Sequence, residues 1–544
     1  MNRPSRQPAG TSRRRLLAGL LALAGAYGAL AGPATAEAPR AAPAGVVVFC
    51  IDTLRADRLH CYGHRRPTSP EIDRFAAVAT LFEKAYSQAS WSLPSYSSLF
   101  TSRYAPSMRD LTGPAGSAGG TVAAIFKAFD YRTAAFVGGG HLSPGFGLAG
   151  GFDTYWSSPV LGSLSKTVPA ALEWLDGEAS EPPPGRPFFL LVHGYDAHAP
   201  YVPPLGYAEL YDRGYRGRVH QAGFLQPRLL AGIRDNRFEP ADMTEFEPET
   251  SVDWSEPERR RAVLPPFEPR AHPPARPARA AVSAFASEQA VWPGPVQEGH
   301  SGLPFELPPL RVPLAPADLE HLRAHYDGAV TYADAWFGVF LRSLEARGLT
   351  SRTVVVLLGD HGEDLGEHGH FDHGNALHDN VLHVPLLVGG PGVRAGGRVT
   401  RVVELLDVAP TLLELCGIPP NARHQGRSLA GPLGFGPKPP AVAPAVAPAE
   451  PAAFSFDAGR ASLRTRRWRF IRERMPGGAW TERLFDRTAE PNETMDVSSR
   501  YKDAAALLHS RLLDVAEGSL DRSSPPGPGL SPEERAFMSL LGYW

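Results

Sequence analysis

Cysteine is almost absent from this 544-residue chain, with only Cys50, Cys61 and Cys416. Three thiols without C-x-x-C spacing exclude a disulfide scaffold. None is placed like a nucleophile, and Cys50 lies inside an apolar run that reads as core. An oxidising compartment would leave a Cys61–Cys416 pair open. An excess of one charge is missing too: 55 basic residues against 57 acidic ones give a net charge of −2, which excludes a general electrostatic partner such as nucleic acid. Long hydrophobic runs are also lacking. The longest, Leu16 to about Ala31, falls short of the roughly 20 residues that span a bilayer, so no stable transmembrane anchor is expected. No internal repeat is present.

The hydrophobic fraction of 43% describes a folded chain long enough for a large core. In "TSRRRLLAGLLALAGAYGALAGPATAEA", Arg13 and Arg14 precede the short apolar run, and Ala34 and Ala36 offer a cleavage site. Residues 1–36 therefore read as a bacterial twin-arginine-like export signal, giving a periplasmic or extracellular protein. No cysteine follows the cleavage site, which argues against a lipoprotein.

"GVVVFCID" (Gly45–Asp52), "PFFLLVHGYD" (Pro187–Asp196) and "RTVVVLLGD" (Arg352–Asp360) are unbroken apolar runs closing on an acid. Such runs predict strands buried on both faces, as in a parallel sheet. Helical patterns lie between them: Thr121–Phe129, and a long stripe through Leu319, Leu322, Tyr326, Val330, Ala333, Phe337, Leu341 and Leu344. Alternation predicts an α/β fold, a mostly parallel central sheet with helices on both faces, whose working site gathers beyond the carboxyl ends of the strands. Residues 45–430 form the expected catalytic domain. It is interrupted at 207–316 by a Pro/Arg-rich insertion without sustained periodicity. Residues 433–453 read as a low-complexity linker. Residues 454–544, with "ASLRTRRWRFIRERM", "ERLFDRT" and a helix over Asp503–Glu517, predict a smaller α+β subdomain of antiparallel strands.

Four patches carry candidate chemistry. Asp52 ends the first strand. Ser92 lies in "SWSLPSYSS", before a helix predicted to start at Ser95. "HGYDAHAPY" brings out His193, Asp196 and His198. "GDHGEDLGEHGHFDHGNALH" contains Asp360, His361 and His373. Each has a bland alternative: a strand-end Asp more often shapes a turn, a lone Ser caps a helix, and His198 beside Pro200 is an ordinary loop residue. Five histidines between His361 and His378, mixed with acids and glycines, resist that treatment. Together these oxygen and nitrogen donors suit one divalent metal ion. Such an ion lowers the pKa of a serine hydroxyl and polarises an ester oxygen.

The order Asp52, Ser92-Leu93-Pro94-Ser95, Asp196-x-His198-x-Pro200-Tyr201, Asp360-His361-Gly362-Glu363 resembles the sulfatase family of the alkaline phosphatase superfamily. "YDGAVTYADAWFGVFLRSLEARGLTSRTVVVLLGDHGE", "ELLDVAPTLLELCGIPP", "GRSL" and "LFDRTAEPNETMDVS" match in the same order. The resemblance covers about Gly45–Pro204 and Pro316–Ser499. It implies that Asp52, Asp360 and His361 bind the metal, together with Ser92 at the nucleophile position. It places His198 and His373 on the substrate, His373 where relatives carry lysine or histidine. His141, in "VGGGHLS", is a further site candidate.

The departures bear on mechanism. Sulfatases carry C/S-x-P-x-R, whose first residue is oxidised to formylglycine; here Tyr96 stands at the arginine position. Gly139 replaces a lysine, Thr53 a second aspartate, and His361 an asparagine common among sulfatases. A nitrogen donor moves metal preference from calcium toward manganese or zinc, with Mn, Zn, Mg and Ca all kept open. An unmodified serine is expected, and with it cleavage or transfer of a phosphate ester. A true sulfuric ester hydrolase with modified Ser92, and a noncatalytic relative binding anionic glycans, are the alternatives. The expected partner is a small-molecule, glycan or lipid-head-group ester.

Overall fold

The Val-rich run becomes the central strand β1 (Gly45–Ile51). Alternate residues leave it in opposite directions. Val46, Val48 and Cys50 enter one core, while Val47, Phe49 and Ile51 enter the other. A computed structural model describes residues 42–104, 120–158, 161–179, 186–217, 315–435 and 450–516, apart from 200, 205, 208, 369, 370, 375, 420, 458 and 476. The expected export signal, most of the insertion and most of the linker lie outside the described residues.

The other strands of the main sheet are β2 (Thr80–Tyr86), β3 (Arg132–Val137), β4 (Thr154–Ser157), β5 (Phe188–Gly194), β6 (Thr353–Gly359), β9 (His383–Val384), β10 (Leu386–Gly389) and β11 (Gly397–Glu404). A separate two-stranded ribbon joins β7 (Asp364–Leu365) to β8 (Phe371–Asp372). The main order is β11-β2-β10-β6-β1-β5-β3-β4, with β9 beside β2. Pairings are parallel except those made by β10 and β9. Helices α1 (Pro70–Val78), α4 (Leu164–Ala179) and α5 (Pro316–Ala346) cover one face. Helices α2 (Ser92–Thr101), α3 (Val122–Ala128) and α7 (Val408–Leu415) cover the other. A short helix α6 (Asp379–Leu382) leads into β9. The expected α/β architecture is thus present.

Four antiparallel strands, β12 (Ala453–Asp457), β13 (Arg460–Arg464), β14 (Trp468–Arg474) and β15 (Trp480–Asp486), form a second sheet in sequential order. Helix α8 (Lys502–Ala516) packs on it through Leu508, Leu512 and Ala516. All three cysteines are free thiols. Cys416 belongs to one core and Cys61 packs against the other, so the sheet separates the pair that an oxidising compartment had left open.

Candidate active site

The first turn after β1 is strained. Thr53 has φ 54°, costly for a β-branched residue. Its N–H donates to Asp360 Oδ1 at 3.2 Å, and its carbonyl accepts from Tyr326 Oη of α5 at 2.6 Å. The turn is thereby clamped between the strand ends and a covering helix, with Asp52 fixed just before it.

Strand register does the rest. Ile51 pairs with Gly359 of β6 and with Gly194 of β5, so Asp52 and Asp360 leave neighbouring strands at the same level. One oxygen or nitrogen from each of Asp52, Asp360 and His361 lies within 4.8 Å of the others. Ser92 Oγ lies 3.2 Å from Asp52 Oδ2 and 3.2 Å from His361 Nε2. The helix begins at Ser92, not Ser95, with Trp91 at the cap position. The Ser92 hydroxyl therefore points into the acid cluster and does not cap. Ser95 Oγ instead donates to the Asp360 carbonyl at 2.6 Å, tying the helix start to β6.

The segment before the helix is held by the second sheet. Phe456 N–H donates to Gln88 O at 2.8 Å, Ser455 Oγ donates to Ser87 O at 2.6 Å, and Ser90 Oγ donates to Asp457. Strand β12 therefore braces the approach to Ser92, a contribution the sequence did not reveal.

Asp52 Oδ1 and Asp360 Oδ2 are buried without a hydrogen-bond partner, and both residues are fully buried. Burial pushes the Asp360 carboxyl well above the usual range, and the Asp52 charge adds to this. Burial would raise Asp52 as well, but donation from His193 and the nearby imidazoles hold it below the carboxylate range. Two buried acids with vacant oxygens are expensive unless a cation sits between them. His361 fits the same need. Its Nδ1–H donates to Gly362 O at 2.9 Å, leaving the Nε2 lone pair toward the cluster. Burial, then the neighbouring His373, hold its pKa at about 3. Two carboxylates and one neutral imidazole are a donor set for a divalent metal ion.

His193, which the sequence pattern brings out without marking it as a site residue, stands directly behind Asp52. Its Nδ1 accepts from Gly138 N–H at 3.2 Å, so Nε2 carries the proton and donates to Asp52 Oδ2 at 3.2 Å. It orients a candidate ligand from behind. His373 lies against His361 and His198, with ring centroids 4.5 Å and 4.8 Å away. Its Nδ1 lies 2.8 Å from Asp372 and 3.1 Å from Glu363, two carboxylates that sequence reasoning missed. Burial raises Glu363 to about 7, with His373 acting against the rise. His198 Nδ1 donates to Ala199 O at 2.5 Å; burial, then His373, depress its pKa. His141 meets Trp91 edge-on at 5.0 Å, and burial holds it at about 3. Asp196 turns away. It accepts from Ser163 Oγ at 2.5 Å and Leu164 N–H at 2.8 Å, capping the start of α4. A cavity of about 400 Å³ opens beside this region, lined by Glu367, His368, His378, Arg460 and Arg483 among others. Arg460 donates to the carbonyl of Gly374, next to His373.

A mostly parallel sheet covered on both faces, with acids and a helix-borne serine at its carboxyl edge, defines an alkaline-phosphatase-like α/β class. The sequence matches the sulfatase family over residues 45–418 and the C-terminal region of N-sulphoglucosamine sulphohydrolase over residues 366–518. The chain belongs to the sulfatase family. It is 30% identical to arylsulfatase K of Homo sapiens over 203 residues, 36% of this chain and 37% of that protein. It is 29% identical to arylsulfatase K of Bos taurus over 207 residues, with the same coverage. The match thus spans little more than a third of these relatives. Among solved structures, a protein in complex with its substrate D-glucosamine-2-N,6-O-disulfate aligns with TM-score 0.59 at 16% identity, over 89% of this chain and 99% of that one. The phosphonate monoester hydrolase of Agrobacterium radiobacter aligns with TM-score 0.57 at 18% identity, over 88% and 96%. Those two likenesses speak to the fold.

Proposed function

We propose that this chain is an exported, metal-dependent ester hydrolase that cleaves phosphate or sulfate esters through unmodified Ser92, with phosphate favoured. The observation that carries this reading is the Ser92 hydroxyl set 3.2 Å from both Asp52 and His361, beside vacant carboxylate oxygens. Asp52, Asp360, His361 and Ser92 would hold the ion. When bound, a divalent metal supplies charge neutralisation, hydroxyl activation and polarisation of the ester.

The rest follows from this chain's own groups. Ser92 Oγ attacks phosphorus, forming the Oγ–P bond as the ester P–O bond breaks. Its proton has an acceptor in reach in Asp52 Oδ2, 3.2 Å away, since the one lone pair of His361, on Nε2, would be taken by the ion. The departing alkoxide takes a proton from the His198–His373 pair; Asp372 and Glu363 fix the His373 ring so that Nε2 faces away from them. Water then cleaves the phosphoseryl bond, releasing phosphate and restoring the serine. His141 and Trp91 would border the ester. Tyr96, buried at the position of the family's motif arginine, supports an unoxidised serine, because the modification motif is incomplete.

The sulfate reading is favoured by the arylsulfatase names of the curated relatives. Mass spectrometry of the Ser92 peptide separates the two. Phosphoserine trapped after incubation with an aryl phosphate supports the first; loss of two hydrogens from Ser92, with aryl sulfate turnover, supports the second. A protein that binds no metal and turns over neither ester favours the noncatalytic, glycan-binding reading.

A further inference from the structure

Away from the acid cluster, helix α5 carries two histidines one turn apart, His321 and His325. An i, i+4 pair lies on one helix face, and these rings meet at 4.4 Å between centroids. Both residues are more than nine-tenths buried, 7% and 6% exposed. Each has a ring nitrogen with no partner: Nε2 of His321 and Nδ1 of His325. Leaving a buried polar atom unmet costs about 1–3 kcal/mol, and here two adjacent side chains do so.

The His321 ring is locked. Its Nδ1 lies 2.8 Å from Asp212 Oδ2. A carboxylate only accepts, so Nδ1 bears the proton and the neutral ring keeps its lone pair on Nε2. Tyr215 stacks on the other side at 3.8 Å and 10°, and its hydroxyl donates to Asp318. A carboxylate behind an imidazole is the arrangement that orients metal-ligating histidines and raises their basicity. Two imidazole nitrogens suit a borderline cation, Zn²⁺, Ni²⁺ or Co²⁺, and do not suit Mg²⁺ or Ca²⁺.

We propose that His321 Nε2 and His325 Nδ1 form a second transition-metal site, separate from the acid cluster, with water in the remaining positions. Asp212 and Tyr215 belong to the segment where the chain enters the insertion, whereas both ligands belong to α5. A bound ion would rigidify the ring that Asp212 and Tyr215 grip, pinning that segment to the helix. The proposal stands independently of the ester chemistry.

Crystals of the full chain grown with Zn²⁺ test it directly. The expected result is an anomalous difference peak between the two rings, about 2.0–2.1 Å from each nitrogen. An occupied cation position at Asp52 and Asp360 with no anomalous signal between the rings, a water-bridged imidazole pair only, overturns it. In solution, metal-stripped His321→Gln and His325→Gln are each expected to bind one equivalent of Zn²⁺ fewer than the parent while keeping its ester turnover. Equal stoichiometry in all three proteins overturns the proposal.

Discussion

Two clusters of buried acids in this molecule have opposite bookkeeping. At the carboxyl edge of the main sheet, Asp52 and Asp360 face each other with one vacant oxygen apiece. At the junction with the second sheet, Asp379 meets Arg464, Arg469 and Arg487. Glu493 beside it receives His378, Arg469 and Arg487. Burial would raise Asp379 too, yet the three guanidiniums drive its carboxyl well below the usual range, whereas Asp360 is driven well above it. The chain closes its own charge at one cluster and leaves it open at the other. An acid cluster that cannot balance itself points to a ligand; one that can serves the fold.

The largest effect expected is on the open cluster's hydroxyl. Ser92→Ala should lower turnover of an aryl ester by about 10³-fold or more with the melting temperature nearly unchanged, because this serine caps nothing. Near-parental rate would return Ser92 to a merely structural place.

The contrast itself is tested by matched amide substitutions. Asp379→Asn strands buried guanidiniums and should cost about 3–5 kcal/mol in denaturant unfolding. Asp360→Asn keeps an oxygen for the Thr53 and His361 N–H groups, and in cation-free protein it is neutral without having to take up a proton. It should hold or raise stability while abolishing tight metal binding. Equal destabilisation by both would break the distinction.

The sign of the pH response follows from the raised Asp360 carboxyl. Without a cation, the folded state takes up a proton that the unfolded state has already released above the usual carboxylate range. Cation-free stability therefore falls as pH rises through that window. A cation must displace the same proton, so its affinity should rise with pH, by up to about tenfold per pH unit for one proton. Chelator competition between pH 6 and 8 reads this slope; a flat profile would mean that both carboxylates are already ionised in cation-free protein.

The smallest effect belongs to an acid that merely looks catalytic. Asp196→Asn should cost about 1 kcal/mol through the weakened cap of α4 and leave the rate close to parental. A large rate loss at unchanged stability would move Asp196 into the site.

Much of this was legible in the chain. Unbroken apolar runs marked β1, β5 and β6 because strands buried on both faces need no polar alternation, and the acids closing two of them, Asp52 and Asp360, lie together at one sheet edge. The long apolar stripe marked α5 because its period is helical. The partners standing behind the site were less visible. Glu363, Asp372, His193 and Asp457 matter through the side chain each one faces, and that pairing has no sequence spacing. Asp196 shows the converse, since a carboxylate beside His198 in the chain turns toward Ser163 in space.

By itself, the sequence determined the strands, the helices and the family to which the chain belongs, because hydrophobic period and motif order are local properties. Only the tertiary structure decided which acids remain unbalanced. Whether a buried carboxylate meets an arginine, a backbone N–H or nothing depends on the register of neighbouring strands and on a second sheet folding back over Ser90.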